Sequence, residues 1–130
     1  MYKIVKLLND KHKLLKHYTQ NVDSLEELAG LDREKTIQCH GNWHSGTCLR
    51  CDEVFDYEYL KNFILQKKIP KCNKCNRAVK PDVVLFGEKL NFDFHDSVIE
   101  FDSCDYLIII GTTLVVEPYS FFFFTLLIYN

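Results

Sequence analysis

Cys48-Leu49-Arg50-Cys51 and Cys72-Asn73-Lys74-Cys75 are the two stretches that decide how this chain folds. Each stretch places two thiols in one tight turn, and 20 residues separate the two turns. Zinc binds four thiolates in a tetrahedron, so two such turns complete its ligand shell and leave no position for water. The spacing therefore predicts a structural zinc site on Cys48, Cys51, Cys72 and Cys75. Two redox dithiols or a pair of disulfides are the alternative interpretation.

The two remaining cysteines, Cys39 and Cys104, have no partner at such a spacing. We expect both to be buried small side chains. His44 lies close to Cys48 and could compete as a ligand, but four cysteines already complete the set. Residues 1–20 lack the continuous apolar stretch of a secretory signal. The thiols are therefore expected to stay reduced, which indicates a cytoplasmic or nuclear protein.

Length and charge narrow the classes of protein. The chain has 130 residues, of which 47% are hydrophobic and 26% charged, and this is typical of one soluble globular domain. Its net charge of -2 argues against a general nucleic-acid binder, which needs a basic excess. We expect the local basic cluster to offset the charge of about -2 that zinc with four thiolates carries. This cluster consists of Lys61, Lys67, Lys68, Lys71, Lys74, Arg77 and Lys80.

The end of the chain, residues 120–130, is strongly apolar. It is shorter than the roughly 20 residues that a membrane helix needs. Glu117 and Pro118 also separate it from the apolar stretch before it. We therefore expect a buried strand, or an aberrant end in place of the normal continuation, and no membrane partner.

Elsewhere the apolar residues recur with the periods of strands and helices. Strands are predicted over residues 14–18, 36–39, 83–86 and 105–110. The last has no polar alternation, as in a parallel sheet that is covered on both faces. Helices are predicted over 3–12, over 24–30 behind the capping box Ser24-x-x-Glu27, between Asp56 and Pro70 with Leu60, Phe63 and Ile64 on one face, and over 92–101.

The fold class that follows is α/β, with a partial Rossmann-like parallel sheet and an inserted small zinc-ribbon domain. Residues 1–41 and 80–119 would form the sheet domain, 42–79 the zinc-binding module and 120–130 an atypical apolar tail. Ligands of open parallel sheets bind beyond the carboxyl ends of the strands. Four small or polar clusters follow the predicted strands and would line one crevice; they are Gln20-Asn21, His40-Gly41, Gly87-Glu88 and Gly111-Thr112-Thr113.

These motifs, taken in order, resemble the sirtuin family of NAD-dependent protein deacylases. The resemblance covers roughly residues 2–119 and comes closest to the branch that deacetylates lysine in eukaryotes. The family motifs are Y-T-Q-N-I-D-x-L-E, A-G, a catalytic H-G, a four-cysteine zinc ribbon, K-P-D-x-V-F-F-G-E and L-x-x-x-G-T-S-L-x-V-x-P-F. Their counterparts here are residues 18–26, 29–31, 40–41, the four cysteines, 80–88 and 107–119.

The resemblance implies an NAD-dependent protein-lysine deacetylase that transfers the acetyl group to ADP-ribose and releases nicotinamide. The implied cofactors are NAD and Zn²⁺. The implied partners are acetylated proteins such as histones, with no direct nucleic-acid partner. His40 takes the place of the base that activates a ribose hydroxyl, and histidine suits this role because its ordinary pKa is about 6.5. A hydrogen-bonded histidine at a strand end is the alternative interpretation.

The resemblance also implies a set of cofactor-binding residues. Gln20 and Asn21 take the places of amides that hold ribose hydroxyls and an ordered water, so Asn21 joins His40 as catalytic. Asp23 takes the place of the residue that faces the nicotinamide carboxamide, although Asp is also common just before a helix. The strand-end loop that contacts NAD phosphate and ribose corresponds to Gly111, Thr112 and Thr113.

The implied substrate groove is formed by Val84, Phe86, Gly87 and Glu88. An acetyl-lysine side chain is an apolar rod with a neutral amide at its tip, which suits a tunnel lined by Val84 and Phe86. The substrate backbone would add as a strand near Gly87 and Glu88. A plain core strand is the alternative interpretation of Val84 and Phe86.

The 130 residues depart from the family pattern at both ends. They lack the G-A-G-x-S loop that grips the NAD pyrophosphate, the D-F-R segment and the later I-N segment, and Thr113 replaces the usual Ser. We therefore expect an internal, truncated portion of the catalytic domain, weakly active or inactive alone, because nothing holds the pyrophosphate at a helix N-terminus. The rival function is a non-catalytic zinc-ribbon fragment that binds a peptide. A zinc-ribbon nucleic-acid binder is disfavoured, since the basic cluster lacks interleaved exposed aromatics.

Overall fold

The structure is a computed structural model that describes residues 1–89 and 103–115. The chain divides into two compact units, residues 1–100 and 101–130. The first unit contains both helices and strands, and three of the strands follow one another with no helix between them. The elements are α1 (Tyr2–Asp10), β1 (His17–Thr19), α2 (Leu25–Leu28), a short 3-10 helix (Arg33–Lys35), β2 (Thr36–Gln38), β3 (Gly41–Cys48), β4 (Val54–Asp56), α3 (Tyr57–Leu65) and β5 (Val79–Val83).

Strands β1 and β2 form a small parallel sheet, in which His17 pairs with Thr36 and Thr19 pairs with Gln38. The backbone N–H of Cys39 extends this pairing by donating to the carbonyl of Thr19 at 3.0 Å. The prediction of a mixed α/β fold with a parallel sheet is confirmed for this pair. The first strand lies later than predicted, because it is a strand only where β2 supplies hydrogen-bonding partners.

Residues 41–83, which carry the four cysteines and are called the zinc segment below, contain a three-stranded antiparallel sheet in the order β4-β3-β5. The long strand β3 lies in the middle, and Gly46 pairs with Phe55 on one side and with Pro81 on the other. The prediction of a strand over residues 83–86 is wrong in position, because the observed strand β5 covers Val79–Val83. The physical reason is its partner: the hydrogen bonds that define β5 come from β3 of the zinc segment.

Helix α2 starts differently from the predicted capping box. Ser24 precedes the helix with φ of 54°, and its side chain makes no cap hydrogen bond. The Ser24 hydroxyl instead accepts a hydrogen bond from Gln38 Nε2 at 3.2 Å. Asp23 Oδ1 accepts from the backbone N–H of Leu25 at 3.1 Å, so Asp23 orders the start of the helix.

Helix α3 follows the prediction closely. Asp56 is the N-cap, and its side chain accepts from the backbone N–H of Tyr59 at 2.8 Å. Leu60 is buried with 1% of its surface exposed. Ile64, expected on the same face, is 46% exposed and lies one residue before the end of the helix at Leu65.

The prediction of a buried strand over residues 105–110 is wrong. No strand is present within residues 103–115, and the side chains of Tyr106 and Ile108 are 89% and 64% exposed. A strand needs neighbouring N–H and C=O groups, and residues 103–115 show no such pairing. The predictions of a helix over 92–101 and of a buried or aberrant end over 120–130 lie outside the described residues. Within residues 1–89 and 103–115, no helix has the length and apolar character needed to cross a membrane.

Candidate functional site

The four predicted ligands converge on one point. Their sulfur atoms all lie within 4.8 Å of one another. The distances are 3.4 Å from Cys48 to Cys75, 3.5 Å from Cys51 to Cys72 and 3.6 Å from Cys75 to Cys51. A tetrahedral zinc with bonds of about 2.3 Å holds its sulfurs about 3.8 Å apart, so this donor set fits zinc. All six cysteines are free thiols, which does not favour the disulfide alternative.

Two turns of the same backbone geometry present these thiols. In the first, the N–H of Asp52 donates to the carbonyl of Cys48 at 3.3 Å, and in the second the N–H of Asn76 donates to the carbonyl of Cys72 at 2.8 Å. Asp52 and Asn76 both have positive φ, at 56° and 58°. Asn and Asp tolerate this left-handed conformation better than most residues. The residue that follows each CxxC pair thus lets the turn close.

The small core of the zinc segment includes two of the ligands. Cys48, Leu60, Cys72 and Val79 are each at most 2% exposed and pack together. Burial raises the pKa of the Cys48 thiol, but hydrogen bonds from the backbone N–H groups of Cys51 and Arg50 and from neighbouring thiols outweigh it and lower the pKa to about 6. At Cys51 the backbone hydrogen bond at Glu53 lowers the pKa, but the neighbouring thiols raise it to about 12. The thiolate is the form that binds zinc. Zinc would supply a structural crosslink between the two turns here.

The other candidate ligands lie outside this centre. His44 Nε2 lies 3.2 Å from Glu27 Oε1, which directs it toward α2. Cys39 is fully buried, as predicted, and burial raises its pKa to about 12. Cys104 is only partly buried, contrary to the prediction, and its thiol donates to the carbonyl of Tyr106 at 3.1 Å.

Carboxylates already pair with part of the basic cluster. Lys61 pairs with Glu58, Lys74 with Glu53 and Lys80 with Glu88. The pKa of Lys74 is raised, first by its hydrogen bond to Glu53 and to a lesser extent by the thiols of Cys51 and Cys72. Each of these three lysines therefore balances a nearby acid, and Lys74 also interacts with the sulfurs of Cys51 and Cys72.

The parallel sheet brings two predicted site residues together at its carboxyl end. His40 Nδ1 lies 3.1 Å from the backbone carbonyl oxygen of Gln20. Gln20 follows β1, and His40 lies two residues beyond the end of β2. The expectation that strand-end clusters meet along one edge therefore holds for this pair.

Asn21 and Asp23 share a contact that the sequence analysis missed. The hydroxyl of Tyr2 accepts from Asn21 Nδ2 at 2.7 Å and donates to Asp23 Oδ1 at 3.2 Å. Tyr2 is the first residue of α1, so this helix anchors the loop after β1. The helix-start interpretation of Asp23 holds, because the same carboxylate oxygen also receives the N–H of Leu25.

The predicted substrate residues begin beside His40 and then turn outward. The N–H of Val84 donates to the carbonyl of His40 at 2.9 Å. Phe86 is fully exposed, which excludes a core-strand role for that ring. Glu88 Oε2 accepts hydrogen bonds from the backbone N–H of Leu85 and from the Lys80 ammonium, both at 2.9 Å. These two hydrogen bonds lower the pKa of Glu88.

Gly111, Thr112 and Thr113 belong to the second unit, where all three are exposed. The Thr112 hydroxyl accepts the N–H of Leu114 at 3.2 Å. The strand that the sequence predicts before them is not present. Within the first unit, His40 therefore contacts Gln20 and Val84, while Asn21 and Asp23 share the hydroxyl of Tyr2.

Comparison with known proteins identifies the family of this chain. The Sir2 family model matches residues 1–118, which is nearly the whole chain. The chain belongs to the Sir2 family. It is 43% identical over 119 residues to the NAD-dependent protein deacetylase sirtuin-2 of Danio rerio and 42% identical over 118 residues to the NAD-dependent protein deacetylase hst2 of Schizosaccharomyces pombe. It is also 40% identical over 129 residues to the NAD-dependent histone deacetylase SIR2 of Candida albicans.

The matched regions cover 89%, 89% and 91% of this Sir2-family chain but only 31%, 35% and 25% of those relatives. The chain therefore spans about a third or less of their length. The prediction of sirtuin-family membership is confirmed.

Sequence reasoning missed one more residue of this Sir2-family chain, Asp82. Its two carboxylate oxygens accept from the hydroxyls of Ser45 at 2.5 Å and Thr47 at 2.7 Å. Those hydroxyls point to the same face of β3 because side chains alternate along a strand. The spacing of Ser45 and Thr47, two residues apart, was the sequence feature that could have indicated a shared polar partner on the neighbouring strand.

Proposed function

We propose that this chain forms part of an NAD-dependent protein-lysine deacetylase that transfers acetyl from lysine to ADP-ribose and releases nicotinamide. Its family and the names of its relatives support this reaction. The single structural observation that carries the proposal is His40 beside the carbonyl of Gln20, at the carboxyl end of the parallel pair.

That contact favours one arrangement of the His40 ring. A carbonyl oxygen only accepts hydrogen bonds, so the neutral ring carries its proton on Nδ1 and its lone pair on Nε2. His40 Nε2 is then the nitrogen that takes a proton from a ribose hydroxyl. A positioned base of this kind contributes about 10² to 10⁴-fold to a rate.

NAD, when bound, supplies the ADP-ribose group that accepts the acetyl. We assign Gln20, Asn21 and Asp23 to its nicotinamide ribose side, and Gly111, Thr112 and Thr113 to its phosphate and ribose. Asn21 and Asp23 suit this role because Tyr2 holds both side chains in place. In this proposal residues 1–41 and 80–119 carry the NAD site, and residues 42–79 form the zinc-stabilised module.

The acetyl-lysine substrate would lie along residues 84–88. Val84 is tied to the carbonyl of His40, so an acyl group that contacts Val84 comes close to the base. The fully exposed ring of Phe86 offers apolar surface for the lysine stem, and the backbone at Gly87 and Glu88 would receive the peptide as a strand. Acetylated proteins such as histones are the proposed partners, in the cytoplasm or nucleus where thiols stay reduced.

The test is His40→Ala in a protein that contains this chain, with nicotinamide release and peptide deacetylation measured together. We expect the rate to fall at least about 100-fold, since a general base is lost. His12→Asn is the matched control, because His12 is exposed and asparagine tolerates its positive φ of 53°. A His40→Ala variant with the wild-type rate would overturn the assignment.

A second candidate function is a non-catalytic module that binds a peptide. The observation in its favour is that β5 is an edge strand followed by the exposed side chains of Leu85 and Phe86. Such an edge can pair with an extended peptide without any nucleotide. Calorimetry with NAD and with an acetyl-lysine peptide separates the two functions. Peptide binding with no NAD binding would favour the module.

A further inference from the structure

A chain of side-chain hydrogen bonds brackets His40. Glu26 Oε1, on α2, accepts from Gln38 Nε2 at 2.6 Å. Gln38 Oε1 accepts in turn from Asn42 Nδ2 at 2.6 Å. Gln38 and Asn42 lie two residues before and two residues after His40, so the bond between them closes the segment 38–42 into a loop. We call this chain of three side chains the Glu26 network.

The anchor of the Glu26 network is a carboxylate in an unusual place. Glu26 is fully buried, with 0% of its surface exposed. Its Oε2 has no hydrogen-bond partner among residues 1–89 and 103–115. A hydrogen bond to a buried carboxylate is charge-assisted and roughly twice as strong as one between neutral groups. Gln38 donates the hydrogen bond that holds Glu26 Oε1.

Gln38 can adopt only one amide orientation in these surroundings. Its Nε2 faces three oxygen acceptors, Glu26 Oε1 at 2.6 Å, Ser24 Oγ at 3.2 Å and Glu27 Oε1 at 3.5 Å. Its Oε1 faces the N–H of Asn42. A flip of the amide would set its oxygen against the carboxylate and lose the bond to Asn42.

The backbone between Gln38 and Asn42 is held from its other side as well. The N–H of Cys39 donates to the carbonyl of Thr19, and the carbonyl of His40 accepts from the N–H of Val84. With its side chains and backbone both held, the segment presents the His40 ring to the carbonyl of Gln20 in one orientation.

We propose that Glu26, Gln38 and Asn42 are positioning residues that hold the His40 ring in the orientation its reaction needs. The effect on rate rests on the proposed function, whereas the effect on the ring itself does not. Loss of the Glu26 network would let segment 38–42 relax and weaken the contact from His40 Nδ1 to Gln20. A misplaced base would lower kcat by about 10 to 100-fold.

The test exchanges the two partners of the buried hydrogen bond. Gln38→Glu places a second carboxylate against Glu26 Oε1 and removes the donor. Glu26→Gln combined with Gln38→Glu restores the bond in reverse, since the glutamine at position 26 can donate to the carboxylate at position 38. That carboxylate also still accepts from Asn42. We expect the single variant to lose the network and the double variant to regain it.

A second variant covers the case in which Gln38→Glu does not fold. Asn42 is only partly buried, and its Oδ1 also accepts the N–H of His44 at 2.8 Å. Asn42→Asp keeps that acceptor and removes the donation to Gln38. Asn62→Asp, at an exposed position on α3, is the control for the added charge. We expect Asn42→Asp to disturb His40 and the control to leave it unchanged.

Two readouts are measured on each zinc-loaded variant. The first is the ¹⁵N chemical shifts of the His40 ring, which report where its proton resides without any need for activity. The second is steady-state deacetylation of an acetyl-lysine peptide, where we expect kcat to fall with little change in KM. Both should return toward wild type in the double variant.

Each outcome bears on one proposal. Unchanged His40 signals in Gln38→Glu and Asn42→Asp, or a double variant that recovers neither readout, would overturn the positioning role. If Gln38→Glu does not fold, the His40 signals of Asn42→Asp and of the double variant test the positioning role. Shifted and rescued His40 signals in a protein with no deacetylation would instead sustain the positioning role and count against the proposed function.

Discussion

At the scale of single residues, Gly41, the first residue of β3, shows how closely β3 and β5 approach each other. Its φ is 71°, a conformation that glycine adopts readily. A Cβ atom at this position would lie 2.0 Å from the carbonyl oxygen of Asp82, which is backbone and cannot swing away. Only glycine therefore fits at this position of β3, beside β5.

Gly41→Ala should lower the free energy of unfolding by about 3 kcal/mol or more, since it adds a steric overlap to the cost of about 1–2 kcal/mol for left-handed backbone. Urea denaturation of the zinc-loaded protein measures this. Gly87→Ala is the matched control: its φ is 88°, but nothing lies within 4 Å of the added atom. It should cost about 1–2 kcal/mol. Equal losses in the two variants would contradict the proposed close approach.

His17 provides a residue-scale prediction about pH. Burial lowers its pKa from the ordinary value of 6.5, and the charge of Glu26 only partly opposes this. Below about pH 6.5 the unfolded chain therefore binds a proton that the folded chain resists. The stability from neutral His17 is fully present above that pH and is lost as the pH falls through the lower folded pKa.

The measurement for His17 is urea unfolding at several pH values between about 7.5 and 5.5. Wild type should lose more stability on acidification than His17→Gln, whose side chain does not titrate. His12→Gln, at an exposed position, should follow wild type. Parallel pH curves for wild type and His17→Gln would show that the burial of His17 is not linked to folding.

At the scale of elements, α3 and the three-stranded sheet depend on very little apolar contact. The core of this segment consists of Cys48, Leu60, Cys72 and Val79, with Phe55 and Cys75 packed against it. Leu60 lies so close to β3 that a Cβ on Gly46 would be 2.9 Å from its Cδ2 atom. Leu60 is the one buried side chain of α3, so it attaches the helix to the sheet.

Leu60→Ala should lower the free energy of unfolding by about 2–5 kcal/mol, because it leaves a cavity under α3. Leu65→Ala is the matched control on the same helix, since Leu65 is 73% exposed. Its effect should stay within about 0.5 kcal/mol. Denaturant titration at saturating zinc measures both, and a mild Leu60→Ala would indicate that zinc alone holds the segment.

At the scale of the whole molecule, the first unit is continuous across its two sheets. Strand β2 passes through His40 directly into β3, and the N–H of Val84 returns from β5 to the carbonyl of His40. The zinc site lies at the far end of β3, at Cys48. Order at the metal should therefore influence order at the candidate base.

Zinc removal by a chelator should raise the hydrogen-exchange rate of the Val84 and Cys39 amides, which bond to His40 and Thr19. Structural zinc contributes about 10–16 kcal/mol in isolated zinc fingers, so the zinc segment should lose its fold. The amide of Lys11 at the end of α1, bonded to Leu7, is the internal control and should change less. Unchanged exchange at Val84 would separate the zinc site from the His40 segment.

Much of this organisation could be predicted from local sequence. The CxxC spacing correctly predicted four converging thiols, and Asp56 correctly predicted the start of α3. Local pattern failed at Ser24, whose hydroxyl binds Gln38 instead of capping α2. It also failed for residues 105–110, where apolar runs alone predicted a buried strand. For Ser24 the deciding partner is distant in sequence, and for residues 105–110 no pairing strand lies within residues 1–89 and 103–115.

By itself, the sequence determined the family, the convergence of four cysteines and the presence of both helices and strands, because each depends on residue spacing within short segments. Only the tertiary structure decided that β5 pairs with β3, that His40 faces Gln20 and that a buried Glu26 reaches His40 through Gln38 and Asn42. Hydrogen bonds between distant segments are directional and leave no periodic trace in the sequence. They exist only once the chain has folded back on itself.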